Sequence, residues 1–480
     1  MKQIVFFILC YSLTEASINL SRPPGLKFGV ATASYQIEGG WNADGKGENI
    51  WDRFTHEDNL KIKDNSTGDV ACDSYHLWKK DVDLLEELEV DFYRFSLSWS
   101  RILPNGFSNY INTRGIAYYN NLIDLLVKKG IEPVVTLYHW DLPQPIQDLG
   151  GWTNSITAQY FGDFARIAFD HFGDRVKIWI TINEPASICV GPYEFNDGAP
   201  NVKSPGIGSY LCGQNILLAH ATAYRIYQSE FRHIQNGKVG FTIDSIWAEP
   251  KDNNSKVDLE AAEREMQMSF GWFINPIFSD KGDYPDIMKF RIKNASVLQN
   301  FTTSRLPQLS EDEIRFIQGS ADFLGVNHYH TWLVTLKVYP PNEISFEADK
   351  GTELLKDPTW KDPDILPWGL TNLLNWIKLR YNNPLVYITE NGIGDSTGTL
   401  TDTKRIQYLQ EYINATLVAI NQGCNVARYT VWSLMDNMEW TNGYTVKFGL
   451  YNVNFTDSAR PRTPKLSAGF YKGLLTKNDQ

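Results

Sequence analysis

Eight times along the chain, a short and nearly unbroken apolar run rich in β-branched residues gives way to a longer amphipathic stretch. The runs are Lys27–Ala33, Phe92–Trp99, Glu132–Tyr138, Lys177–Asn183, Lys238–Asp244, Phe323–Tyr329, Leu385–Glu390 and Ala427–Met435. Continuous rather than alternating apolar character marks strands covered on both faces, as in a parallel sheet flanked by helices. Helix-like stretches between them include Trp78–Glu89, Ile116–Lys129, Thr157–Phe172, Ile216–Gln228 and Asp402–Asn421. Eight alternations predict an α/β fold, a single (β/α)8 TIM barrel with long loops over its C-terminal face. A doubly wound open sheet uses the same alternation, but no Gly-rich phosphate loop follows the first run. Length alone would suggest about three domains. No linker, charge block or low-complexity tract divides the chain, however, so residues 17–480 read as one barrel domain. Pro250–Asp322 and Tyr339–Pro367 read as insertions over the barrel mouth.

The first residues read as an export signal, 1–16. Lys2 supplies a positive start, Ile4–Cys10 an apolar core, and Thr14, Glu15 and Ala16 a small-residue cleavage site. No later segment approaches the ~18 unbroken apolar residues of a membrane span. The expected location is therefore extracellular. Seven Asn-x-Ser/Thr triplets suit that route: Asn19, Asn65, Asn253, Asn294, Asn300, Asn414 and Asn454. Beyond Cys10, four cysteines remain, Cys72, Cys189, Cys212 and Cys424. Their spacing permits three pairings or free buried thiols, and does not choose among them. A net charge of −11 argues against nucleic acid and anionic membrane as partners. No Cys or His spacing suggests a metal, and no cofactor is expected. The oligomeric state stays open.

In a barrel of this kind, functional side chains gather at the C-terminal ends of the strands. Polar residues recur there: Gln36, Trp99, His139 to Asp141, Asn183 and Glu184, Asn327 with Tyr329, and Glu390 with Asn391. Two glutamates, Glu184 and Glu390, complete otherwise apolar strands, and Pro185 or Gly392 then turns the chain. Strands four and seven lie across the barrel from each other, so the two carboxyls can face over a central cavity. Glycoside hydrolysis needs such a pair, one to protonate the leaving oxygen and one to meet the oxocarbenium-like carbon. The competing reading is that each glutamate is a partner in a buried ion pair.

These motifs give the chain a resemblance to glycoside hydrolase family 1, the β-glucosidase family, and to its animal, insect-type members. The resemblance runs from about Lys27 to Lys472. It rests on FGVATASYQIEG (Phe28–Gly39), RFSLSW (Arg94–Trp99), YHWDLP (Tyr138–Pro143), TINEP (Thr181–Pro185), ITENG (Ile388–Gly392) and WSLMDNMEW (Trp432–Trp440). It implies a retaining, exo-acting β-glucosidase, a small-molecule β-glycoside as partner, Glu184 as acid/base and Glu390 as nucleophile. Arg94 would hold Glu390 ionised, and Tyr329 would hydrogen-bond to it, with core packing as the alternative for Tyr329. Gln36, His139, Asn183 and Glu439 would grip the sugar hydroxyls, with Trp432 beneath the ring and Trp440 beside it. Phe448 would line the pocket near the 6-hydroxyl or simply pack.

Some positions depart from the family pattern. Met438 stands where Phe is usual and Arg428 where Gly is usual, and Val190–Asn201 and His330–Trp332 are unusual. Those loops lie on the leaving-group side and leave the choice of aglycone open. A β-thioglucosidase is one alternative, because animal thioglucosidases of the family keep both carboxylates. A non-catalytic sugar-binding relative is another, although such proteins typically lose one of the two glutamates.

Overall fold

The computed structural model describes residues 23–476. The proposed signal segment, Asn19 and the last four residues lie outside that range. Eight parallel strands close into a barrel: β1 (Lys27–Ala31), β2 (Phe92–Ser96), β3 (Glu132–Tyr138), β4 (Ile178–Asn183), β5 (Lys238–Asp244), β6 (Phe323–Asn327), β7 (Val386–Asn391) and β8 (Val426–Trp432). Each pairs with its neighbours in sequence, and β8 returns to β1. All eight apolar runs become strands, and closure excludes the open sheet. Several end earlier than their runs, because the chain leaves the ladder where polar groups begin.

The apolar runs serve two layers. Phe92, Val134, Ile178, Ile180, Phe323 and Tyr387 form a cluster of their own that plugs the lower barrel. The larger core lies between the strands and the surrounding helices and includes Val135, Ile182, Val239, Leu324 and Ile388. Such layering follows from side chains alternating across each strand.

Arg428 has a clear place in this arrangement. Its guanidinium makes two hydrogen bonds to Glu132, at 2.9 and 3.1 Å, and lies 4.9 Å from the ring centres of both Phe92 and Tyr387. Lys27 joins the same carboxylate at 2.5 Å. β1, β3 and β8 are thus tied together at their N-terminal ends, the stability face of a barrel.

The expected helices are present, for example Thr157–Phe172 and Thr403–Asn421. The stretch Pro250–Asp322 differs from the expectation. It folds into four helices, Lys256–Met268, Phe270–Phe278, Asp286–Leu298 and Glu311–Ile317. Phe270–Phe278 packs against β5, as a barrel helix does, and its six-residue apolar face (Phe270, Trp272, Phe273, Ile274, Pro276 and Ile277) is buried. Only one edge of the stretch, at Glu265 and Ser269, reaches the mouth. The Tyr339–Pro367 loop does reach it, through Phe346, Glu347, Lys350 and Leu354. Cys189 and Cys212 form a disulfide, while Cys72 and Cys424 are buried thiols.

Candidate active site

Two departures from strict alternation build the site. On β4, Ile178 and Ile180 point into the barrel, so simple alternation would turn Asn183 away. The β4–β5 register shifts between Ile180 and Asn183. On β7, Tyr387 points inward, and the β6–β7 register shifts between Ile388 and Glu390. Such irregularities re-aim side chains next to active sites. Here they bring Asn183 and Glu390 round to the same guanidinium.

That guanidinium belongs to Arg94 of β2, 1% exposed. Its Nη1 donates to Glu390 Oε1 at 2.7 Å and to the Thr389 carbonyl at 2.9 Å, and its Nη2 donates to Asn183 Oδ1 at 2.6 Å. The Tyr329 hydroxyl donates to the other oxygen of Glu390 at 2.7 Å. Tyr329 is therefore a hydrogen-bond partner and not mere packing.

Glu184 sits differently. It caps β4 in a left-handed backbone conformation, φ 54°, a state costing a non-glycine residue of order 1–3 kcal/mol and concentrated at functional sites. Asn327 Nδ2 donates to its Oε1 at 2.6 Å, and Thr389 Oγ1 fixes that amide by donating to Asn327 Oδ1 at 2.7 Å. No cation pairs with Glu184 among the described residues. Burial, then the charges of Glu390 and Asp244, push its carboxyl well above the ordinary range. One carboxyl faces a guanidinium and a phenol, the other an amide and two acids. Environments that differ in this way divide acid from nucleophile.

Around the pair stand hydroxyl-binding groups and aromatic rings. Asn183 Nδ2 lies 3.1 Å from His139 Nε2. Burial, and secondarily Arg94, hold the imidazole pKa far below its usual value, so the ring is neutral. His139 Nδ1 and Gln36 Oε1 are buried without a hydrogen-bond partner among the described residues. Gln36 Nε2 donates to Asn437 Oδ1 and the Met438 carbonyl at 2.9 Å, and more weakly to Glu439 Oε2 at 3.3 Å. Burial, then the Glu390 charge, raise Glu439 to about 8. His139 stacks between Trp432 and Trp440 at ring separations of 5.8 and 5.9 Å. Phe448 meets Tyr329 edge-on at 6.0 Å. All eleven side chains expected at the site thus converge on one barrel mouth. In front of them opens a cavity of about 460 Å³ whose walls include Ala186, Ser187, Asp244, Glu439 and Trp440. Glu184 and Glu390 are not in its wall, which Asp244 and Glu439 line in their place.

Sequence reasoning left two participants without a role. Asn327 holds Glu184, and Asp244 ends β5 beside it, with a carboxyl raised to about 6 by burial first and by Glu390 last. Both are polar residues ending apolar strands, the same signal that marked Glu184 and Glu390.

Fold and site together define a glycoside hydrolase. Residues 20–480 match the model of glycosyl hydrolase family 1. Myrosinase 1 of Brevicoryne brassicae is 48% identical, over 95% of this chain and 98% of its own. The aphid myrosinase structure superposes with a TM-score of 0.92 at 47% identity, covering 95% of this chain and 99% of that one. The human cytosolic beta-glucosidase is 44% identical, over 95% of this chain and 98% of its own. A rice beta-glucosidase variant in a covalent complex with Glc has a TM-score of 0.89 at 39% identity, covering 95% and 98% of the two chains. The chain belongs to glycosyl hydrolase family 1. It is a retaining, exo-acting glycoside hydrolase of β-glucosides, and no described helix is long and apolar enough to cross a membrane.

Proposed function

We propose that Glu390 is the nucleophile and Glu184 the acid/base in hydrolysis of terminal β-D-glucosides. The carrying observation is the asymmetry of the two carboxyls, Glu390 matched by Arg94 and Tyr329 and Glu184 by the Asn327 amide. Glu184 protonates the leaving oxygen as Glu390 attacks the anomeric carbon to form a glycosyl ester. Glu184 then takes a proton from the water that opens the ester. Asn183 binds the 2-hydroxyl. Gln36, His139 and Glu439 bind the remaining ring hydroxyls, and Gln36 Oε1 and His139 Nδ1, buried without a partner among the described residues, support that role, since buried polar atoms are as a rule hydrogen-bonded. Trp432 and Trp440 cover the apolar sugar faces, and Phe448 lines the 6-hydroxyl side. A 2-deoxy-2-fluoro glucoside should trap the ester, with the label mapping to Glu390. A label on any other residue would overturn the assignment.

We also propose that the protein is exported. Lys2 to Ala16 have the character of a signal. Asn65, Asn253, Asn294, Asn300, Asn414 and Asn454 are all exposed, as glycan acceptors must be. The Cys189–Cys212 disulfide suits an oxidising compartment. Secretory expression should yield a product starting at Ser17 that loses mass on glycan removal. A product retaining Met1, or unchanged by glycan removal, would refute it.

A further inference from the structure

The wall of the cavity before Glu184 carries five acids, Asp197, Asp244, Glu265, Glu347 and Glu439, against one cation, Lys350. That cation is already matched: Lys350 Nζ lies 2.9 Å from Glu265 and 3.2 Å from Glu347. Asp197 is exposed at the rim. Asp244 faces no lysine or arginine at ion-pair distance among the described residues, and its nearest side-chain donor is Ser187 Oγ, at 3.5 Å. Beside the wall residue Pro200, Lys61 donates to Asn201 Oδ1 at 2.5 Å and lies 3.5 Å from Asp58, and Lys356 lies 5.4 Å from the Trp332 ring and 3.6 Å from Asp364, so both are already paired. The rest of the wall offers aromatic faces, Trp140, Phe195 and Trp440, which attract cations and stack on flat apolar groups.

We infer that this leaving-group cavity selects by charge, accepting neutral or cationic aromatic aglycones and rejecting anionic ones, with Asp244 setting the sign. The inference rests on the proposed hydrolytic reading and narrows its substrate class. A leaving group released by Glu184 enters a cavity lined by Asp244, the wall acid whose charge acts on that carboxyl. An anionic tail there meets a carboxylate with no intervening cation. A pair of like charges some 8–10 Å apart at an effective dielectric near 20 predicts roughly 10- to 30-fold discrimination. Glucosinolates carry a sulfate on the aglycone and fall on the rejected side.

The test uses three aryl β-glucosides with phenols of equal pKa and bulk, whose tails are neutral, quaternary ammonium or sulfonate. kcat/KM at pH 7.5 is expected to be roughly 10-fold or more lower for the sulfonate than for the other two. Asp244→Asn should narrow the gap and Asp244→Lys should invert it. Ratios between substrates cancel any common effect on Glu184. Sulfonate turnover equal to neutral turnover, or a ratio unmoved by both variants, overturns the inference. So does an intact glucosinolate processed as fast as the neutral glucoside. Absence of turnover on the neutral substrate would instead sink the hydrolytic reading. In that event, binding of the matching S-aryl glucosides, followed by tryptophan fluorescence, reads the same charge preference.

Discussion

Arg94 Nη1 and Glu390 Oε1 meet at 2.7 Å inside the barrel, with the two side chains 2% and 4% exposed. A buried pair of this kind is costly to break on one side only, since the surviving charge loses its partner away from water. The same guanidinium holds the Asn183 side chain and the Thr389 carbonyl. It fixes three strand ends relative to one another: β2, β4 and β7.

Arg94→Met should therefore reduce stability by roughly 3–5 kcal/mol and kcat/KM by roughly 100- to 10000-fold. Arg94→Lys, which restores charge without the planar fork, should recover only part of either loss. Thermal melts and nitrophenyl glucoside kinetics read both. Retention of near-normal kcat/KM by the Met variant would remove Arg94 from the mechanism.

An acid that must start protonated sets the alkaline limb of kcat/KM, which falls as pH rises through the raised value of Glu184. Asp244→Asn removes one of the charges that raise it, so that limb should move to lower pH. The expected record is a pH profile with an unchanged acidic limb and a shifted alkaline one. An alkaline limb that stays in place means Asp244 does not act on the acid.

Glu184→Ala should slow glucosides with poor leaving groups far more than nitrophenyl glucosides, which need less protonation. Azide should rescue the variant and yield β-glucosyl azide, by attacking the ester from the emptied space. Equal loss on every leaving group, with no azide product, would mean another group supplies the proton.

Glu439→Gln tests sugar reading. Loss of one buried hydrogen bond to a sugar hydroxyl should cost about 1–3 kcal/mol at the transition state, or roughly 5- to 150-fold in kcat/KM for the glucoside. The 6-deoxy fucoside, which lacks one of the hydroxyls read there, should lose less. A common factor across glucoside, galactoside and fucoside would make Glu439 a supporting residue only.

The same substitution should stabilise the sugar-free protein in a pH-dependent way. Folding moves Glu439 from its ordinary 4.5 to about 8. Between those values the unfolded chain releases a proton that the folded protein keeps, so stability falls as pH rises through that window; below 4.5 the two states hold equal protons. The Tm gain of Glu439→Gln should be larger at pH 8 than at pH 5. A pH-independent difference between the two proteins would contradict the raised value.

The apolar runs by themselves determined the barrel. A strand covered on both faces cannot tolerate polar residues until the chain reaches the rim, so Glu184 and Glu390 ending such runs were visible as mouth residues. The family motifs then named their companions, from Gln36 to Phe448. What the linear pattern does not contain is anything that depends on which strands meet. Arg428 looked anomalous until β3 and β8 brought it to Glu132 on the barrel floor. The pairing of Cys189 with Cys212 needed the helix Gly208–Ile226 to return beside Cys189. The Pro250–Asp322 stretch read as an insertion over the mouth because its helices alternate short apolar and charged segments, and their apolar faces are defined only against β5 and one another. Asn183 and Glu390 reach Arg94 through register shifts that strict alternation would not allow. Asn327 and Asp244 acquired roles only as neighbours of Glu184. Local composition decides which side chains must leave water, while barrel closure and strand register decide which polar groups then face each other, because those contacts join residues up to several hundred positions apart.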